Sequence, residues 1–196
     1  MQGFDMGRVP PISFGAGRVT ELPEIVGNLA SGPVLVVADA MLSELGVTDR
    51  LSDSLSAAGI DSEIAADIAG EPKEALIDTL CARARAVGAK AVVGIGGGAA
   101  MDAAKLVAAI APADHPAASY ALGGCAFAVN ALPAIAVPTT AGTGSEVTRT
   151  SIVSTAAGTK NWYWGEELMF AHAILDPELT VSLPPHLTAW TGIDAV

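Results

Sequence analysis

Short apolar runs recur along the chain, with longer amphipathic stretches between them. "VLVVAD" (34–39), "DSEIA" (61–65), "AVVGIG" (91–96), "AIAVP" (134–138) and "HAILD" (172–176) are nearly continuous in apolar character. A strand that alternates apolar and polar residues has one wet face, whereas a strand without alternation is covered on both, as in a parallel sheet. Between the runs the period changes. Val19, Leu22, Val26 and Leu29 recur at helical spacing, as do Leu51, Leu55 and Ala58, then Leu76, Leu80, Ala84 and Val87; Gly32, Gly59 and Gly88 end these helices. Strand and helix in repeated alternation predict an open, doubly wound parallel α/β sheet, whose ligands bind beyond the carboxyl ends of its strands. "PPISFG" adds an edge strand with few covering residues. After Asp176, "DPELTVSLPPHLTAWTGIDAV" changes texture: an Asp-Pro turn, a Pro-Pro break, a short helix leading to Gly192 and a new helix starting around Asp194.

Length and charge narrow the field. A chain of 196 residues is long enough to bury roughly 70% of the surface its unfolded form exposes. A net charge of -11, with ten scattered Lys and Arg residues, argues against a nucleic-acid partner, which needs clustered cations to displace counterions. Cys81 and Cys125 form no CxxC, and His115, His172 and His186 have no metal-ligand spacing. These features suggest a reduced, cytoplasmic protein with both cysteines in the core. "MQGFDMGRVPP" lacks a basic start followed by an apolar run, so no secretory leader is expected. Pro116 to Ser145 carries no charge, but Gly123, Gly124, Asn130, Pro133 and Pro138 interrupt it; a buried loop and strand are expected rather than a membrane span.

Two loops carry candidate chemistry. In "GIGGGAAMDAAK", Gly96, Gly97 and Gly98 follow a strand and open a helix through Asp102 and Lys105. Glycines there let backbone approach a pyrophosphate while the first helical N–H groups face its charge, although a tight turn with close helix packing uses the same residues. "PTTAGTGSEVT" (138–148) follows another strand and supplies the hydroxyls of Thr139, Thr140, Thr143, Ser145 and Thr148 between the exposed backbone of Gly142 and Gly144. Such a loop can hold phosphate, ribose and an amide together. Asp39 ends the first long strand, where a carboxylate can accept from both hydroxyls of an adenosine ribose and repel a 2'-phosphate, or can cap a helix beginning near Met41.

"GGGAAMDAAK", "PTTAGTGSEVT", "DPELT" and "TGIDA", in that order, resemble the iron-containing (group III) alcohol dehydrogenases. The resemblance spans essentially the whole chain. It implies a Rossmann-like (dehydroquinate synthase-like) NAD-binding domain, with NADP possible, followed by an all-helical domain that shares a divalent metal, usually Fe2+. It puts Asp39 at the ribose, Gly96, Gly97 and Gly98 at the pyrophosphate, and Asp102 near the nicotinamide half. Thr139, Thr140, Thr143 and Thr148 fall along the cofactor, with Lys160 and Leu179 flanking it. Asp194 matches the metal-binding Asp, whose companion histidine would stand one helical turn further on. Residues 1–180 are then the dinucleotide-binding domain and 181–196 the start of a truncated metal-binding one, so turnover by this chain alone is not expected and none of its residues is assigned as catalytic.

Two features depart from the family's pattern. Ala99 stands where the family usually has Ser, and "NWYWGEE" is unusual, its Trp162, Tyr163 and Trp164 lining a substrate pocket or packing on an edge hairpin. Glu146 is expected to orient the glycine loop, His172 to lie beside a buried strand and His186 to cap or begin a short helix. The resemblance further implies metal-assisted hydride transfer between the nicotinamide and a small alcohol or aldehyde, in a homodimer paired through the N-terminal strand. A glycerol dehydrogenase or maleylacetate reductase-like sister enzyme, and a non-catalytic NAD-binding module, are the alternatives.

Overall fold

The computed structural model describes residues 7–127 and 129–196; the first six residues, part of the stretch searched for a leader, lie outside them. Eight strands are described: Ile12–Phe14 (β1), Val34–Asp39 (β2), Ser62–Ile68 (β3), Ala91–Gly96 (β4), Ala134–Pro138 (β5), Thr150–Ser154 (β6), Lys160–Trp164 (β7) and His172–Leu175 (β8). The helices are Leu22–Leu29 (α1), Ala40–Glu44 (α2), Val47–Ala57 (α3), Glu74–Val87 (α4), Gly98–Ile110 (α5) and Pro185–Asp194 (α6). Six strands form one sheet in the order β1-β8-β5-β4-β2-β3, parallel throughout, while β6 and β7 form a separate antiparallel hairpin. The expected doubly wound α/β fold is therefore present.

The central strands β2, β4 and β5 are buried almost along their whole length, which is why their sequences show no alternation. Helices cover both faces. On one, Leu22, Val26, Leu51 and Leu55 of α1 and α3 pack on Val34, Val36 and Val93; on the other, Ile77, Leu80, Met101 and Leu106 of α4 and α5 pack on Leu35, Val37 and Val92. α5 is apolar nearly all round, as a helix covered on several sides must be. A Cβ at Gly94 would come within 2.7 Å of Ala104 Cβ, so paired small residues let α5 lie close against β4. Gly88 closes α4 in the left-handed conformation, with φ 68°.

Four expectations need correction. The loop of the charge-free stretch is exposed rather than buried, with Leu122 at 71% exposure; the strand portion, β5, is buried. Cys81 lies in the core, but Cys125 sits on that same exposed loop. α6 runs through Gly192 and ends at Asp194, so no new helix begins there: Ala195 N–H bonds back to Gly192 O. α1 ends at Leu29 with Ala30 as its cap, two residues before Gly32. Among the described residues no helix is long and apolar enough to cross a membrane.

The strand order also locates a crevice. β3 lies on one side of β2 and β4 on the other, so the connections leaving β2 and β4 diverge at the carboxyl ends of the two strands. In open parallel sheets such a switch point leaves a cleft between loops.

Candidate functional site

β2 ends on Asp39, β4 on Gly96 and β5 on Pro138, with Gly96 and Pro138 in register and Thr139 N–H donating to Gly96 O at 2.8 Å. This bond ties the glycine loop to the hydroxyl loop. Gly96 has φ 143°, and a Cβ there would meet Ala100 Cβ at 2.8 Å and Asp39 Cβ at 3.1 Å. Only glycine allows β2, β4 and α5 to converge this closely. Gly97 caps α5 without a side-chain hydrogen bond, leaving the first backbone N–H groups of the helix facing the crevice. Across the crevice, a Cβ on Gly97 would lie 3.6 Å from Thr140 Cγ2, and one on Gly98 would lie 3.0 Å from Thr143 Cγ2. The two loops thus face each other at a separation that a side chain would close.

A cavity opens on each side of this constriction. The smaller, about 100 Å³, is bordered by Asp39, Gly97, Thr139, Thr140 and Leu179, with Leu183 and Leu187 from α6 and the segment before it. The larger, about 640 Å³, is bordered by Gly98, Asp102, Thr143, Thr148, Lys160 and Asp194. Eleven of the twelve residues singled out from sequence therefore line two adjoining cavities; the twelfth, Gly96, is the strand end between them. Asp39 also caps α2, accepting from Met41 N–H at 3.1 Å. It caps the helix and borders the cavity at once. Lys160 reaches Glu71 at 3.3 Å while remaining 63% exposed.

Asp102 and Lys105, one turn apart on α5, form a network invisible in the sequence. Asp102 Oδ1 accepts from Ser145 Oγ at 2.6 Å and Oδ2 from Ile152 N–H at 3.0 Å. Lys105 is completely buried; its ammonium lies 3.4 Å from Asp102, donates to Thr148 Oγ1 at 3.1 Å and to the Thr150 carbonyl, and sits 5.7 Å from the Phe170 ring centroid. Burial lowers its pKa, and the neighbouring Asp102 carboxylate opposes that shift. Together the pair grips the chain at residues 145, 148, 150 and 152, fixing the hydroxyl loop and the first strand of the hairpin. Their partners lie more than forty residues away, so no spacing rule could have found them. Trp162 also borders the larger cavity, whereas Tyr163 is buried on the opposite face.

The histidines and Asp176 stand apart from the two cavities, while Asp194 borders the larger one. His172 opens β8, at the end of the parallel sheet away from the crevice, and shares a 2.9 Å hydrogen bond with Ser13 Oγ; burial lowers its pKa. His186 lies in the first turn of α6, one residue after its start at Pro185, and packs edge-on against Trp190. Asp176 is buried and accepts from the N–H groups of Gly17, Val19 and Glu178, holding the N-terminal segment to the end of β8. Asp194 lies beside the hydroxyl loop, its Cβ 3.2 Å from where a Cβ on Gly142 would stand. Among the described residues no three His, Cys, Asp or Glu side chains converge as a metal site.

The family model described as iron-containing alcohol dehydrogenase matches residues 10–177. The chain is 39% identical over 190 residues to long-chain-alcohol dehydrogenase 1 of Geobacillus thermodenitrificans, covering 95% of this chain and 48% of that protein. It is 34% identical over 200 residues to choline dehydrogenase of Bacillus subtilis, covering 100% of this chain and 50% of the relative. The crystal structure of sulfoacetaldehyde reductase from Bifidobacterium kashiwanohense in complex with NAD+ superposes with a TM-score of 0.92 at 35% identity, over 99% of this chain and 51% of that one. The chain thus spans about half the length of the relatives it matches. By its motifs, its fold and these relationships, it belongs to the iron-containing alcohol dehydrogenase family.

Proposed function

We propose that this chain is the cofactor-binding half of an NAD(P)-dependent, metal-assisted alcohol dehydrogenase acting on a small alcohol or aldehyde. The observation that carries this reading is the pair of cavities joined across Gly97–Gly98 and Thr140–Thr143. An extended dinucleotide needs that shape: a pocket at each end and a narrow, side-chain-free waist for the pyrophosphate. Asp39, Thr139 and Leu179 take the adenosine end, and Gly96, Gly97 and Gly98 with Thr140 and Thr143 take the pyrophosphate. Asp102, Thr148 and Lys160 take the nicotinamide half. The Asp39 carboxylate favours NAD, because a 2'-phosphate would bring a second negative charge against it.

When bound, the nicotinamide supplies the hydride acceptor or donor for interconverting alcohol and carbonyl. This chain's residues bind and orient it. Asp102 and Lys105 hold Thr148 and the hairpin against the cofactor end of α5, and the two loops exclude water from the pyrophosphate. Asp194 by itself does not fit a catalytic divalent ion, which takes about three protein ligands. Residues 1–180 form the dinucleotide-binding domain, and 181–196 begin the helical metal-binding one. Two copies pair through the free edge of β1, where Phe14 is 72% exposed.

Isothermal titration of the 196-residue chain with NAD+ and NADP+ tests the reading. NAD+ binding, weaker NADP+ binding and loss of both in Gly98→Ala are expected, with no NADH oxidation by aldehydes. Wild-type affinity retained in Gly98→Ala would refute the assigned waist, and aldehyde-dependent turnover would refute the half-site.

A further inference from the structure

β7 alternates faces. Tyr163 turns inward, completely buried, its hydroxyl donating to Glu74 Oε1 at 2.8 Å, while Lys160, Trp162 and Trp164 turn outward. The two outward indoles differ in what covers them. The Arg149 guanidinium, itself paired with Glu166, lies 5.2 Å from the Trp164 ring centroid, whereas among the described residues no ring or cation stacks on Trp162. Trp162 is 55% exposed and borders the larger cavity together with Gly98, Asp102, Thr148 and Lys160. Its backbone is held by the hairpin. It pairs across the hairpin with Ile152, whose N–H is held by Asp102, which in turn faces the buried Lys105. A large apolar side chain, more than half exposed, therefore stands at the wall of a polar cavity with no described ring or cation stacked upon it.

We propose that Trp162 is the platform on which the nicotinamide ring of the bound dinucleotide stacks, and that it favours the oxidised pyridinium over the reduced dihydropyridine. This rests on the dinucleotide reading of the preceding section. A chain of atoms passing the Gly98–Thr143 waist enters the cavity that Trp162 borders, and the nicotinamide is the flat group that follows the pyrophosphate and ribose. The pyridinium is planar and cationic, and the face of an indole carries negative potential; stacking and cation–π attraction act together on it. The dihydropyridine is neutral and keeps only the stacking. Glu71, Asp102 and Asp194 border the same cavity; Lys160 faces Glu71 and Lys105 faces Asp102, which leaves Asp194 as the charge that acts in the same direction.

Calorimetric titration of the chain with NAD+, NADH and ADP-ribose, which lacks the nicotinamide, tests the assignment. Trp162→Val, chosen because valine suits a strand, is expected to weaken NAD+ binding about tenfold, in line with one lost stacking contact. The loss for NADH is expected to be smaller, and ADP-ribose affinity should stay within about twofold, because the rest of the dinucleotide does not touch the indole. Trp162→Phe should restore most of the NAD+ affinity, and Trp164→Leu should leave all three ligands unchanged. Equal loss of ADP-ribose and NAD+ affinity in Trp162→Val, or unchanged NAD+ affinity, overturns the platform while leaving dinucleotide binding intact. Failure of wild type to bind any of the three overturns both. Should the valine variant not fold, wild-type affinities decide: NAD+ tighter than both NADH and ADP-ribose supports the platform, and equal affinities for NAD+ and ADP-ribose refute it.

Discussion

Replacing Lys105 by Met keeps an unbranched side chain one atom shorter and removes its charge from the interior. At 3.4 Å from Asp102, with an effective dielectric constant of about 20, the gross attraction is roughly 5 kcal/mol. Desolvation of a fully buried ammonium offsets much of it, and burial is also the leading cause of the lowered lysine pKa. What the substitution exposes is the other side of the pair: the Asp102 carboxylate and the oxygens of Thr148 and Thr150 lose their donor. Breaking a buried pair from one side costs about 3–5 kcal/mol. Asp102 keeps Ser145 Oγ and Ile152 N–H as donors, which points to the lower end, about 3 kcal/mol. At roughly 2–4 °C per kcal/mol for a chain of this size, Tm falls by about 6–12 °C. Thermal unfolding at neutral pH measures this, and amide exchange at residues 148–152 should quicken more than in the central sheet. Asp102→Asn should cost less in the Lys105→Met background than in wild type. A Tm shift under about 2 °C, or strict additivity of the two substitutions, would refute the network.

Two further expectations follow from single residues. The Cys81 thiol is pushed up to about 12, chiefly by burial, with Arg85 opposing. Because its folded pKa exceeds its ordinary value of 9.0, it adds stability that is whole below pH 9.0 and is lost as pH rises toward about 12. That loss amounts to about 1.4 kcal/mol per pH unit, and denaturant melts of Cys81→Ala from pH 8 upward should lack it. Lys105 acts with the opposite sign, gaining stability between its lowered folded pKa and its ordinary value, so the wild-type profile alone will not separate the two. Gly142 has φ 143°, and a Cβ there would run into the Thr191 carbonyl oxygen. Gly142→Ala should lift α6 from the hydroxyl loop at a cost of about 1–3 kcal/mol, seen as faster proteolysis within residues 185–194; unchanged cleavage would refute the contact.

The parts of the fold most legible in sequence are those whose environment is uniform. β2, β4 and β5 occupy 34–39, 91–96 and 134–138 as expected, because each is covered on both faces and written in unbroken apolar residues. β3 is an edge strand with one face partly wet, and it continues to Ile68, past Asp67, three residues beyond the expected end at Ala65. The glycine loop is legible because β2, β4 and α5 converge on Gly96 too closely for a side chain, a constraint written in the local sequence. Asp102 was placed by resemblance, but its hold on Ser145 and Ile152, and the role of Lys105, depend on tertiary contacts that no local pattern encodes. Asp39 shows the converse: its capping and cavity-lining roles are compatible, and sequence alone could only state both.

The pairing of β1 with β8 sets an order of events in folding. Ile12 to Phe14 find their partners at Ala173 to Leu175, and Asp176 closes the same ring onto Gly17 and Val19. β1 leaves the ribosome before the other described strands yet is among the last to be seated, waiting until β8 has been synthesised. Closing so long a loop carries an entropic cost that must be met before the contacts return anything. In the interval "ISF" is unpaired, and once β8 emerges it presents an open edge until the two meet. The window for misassembly, including exchange of this strand between two nascent chains, is therefore as long as the synthesis of the domain itself.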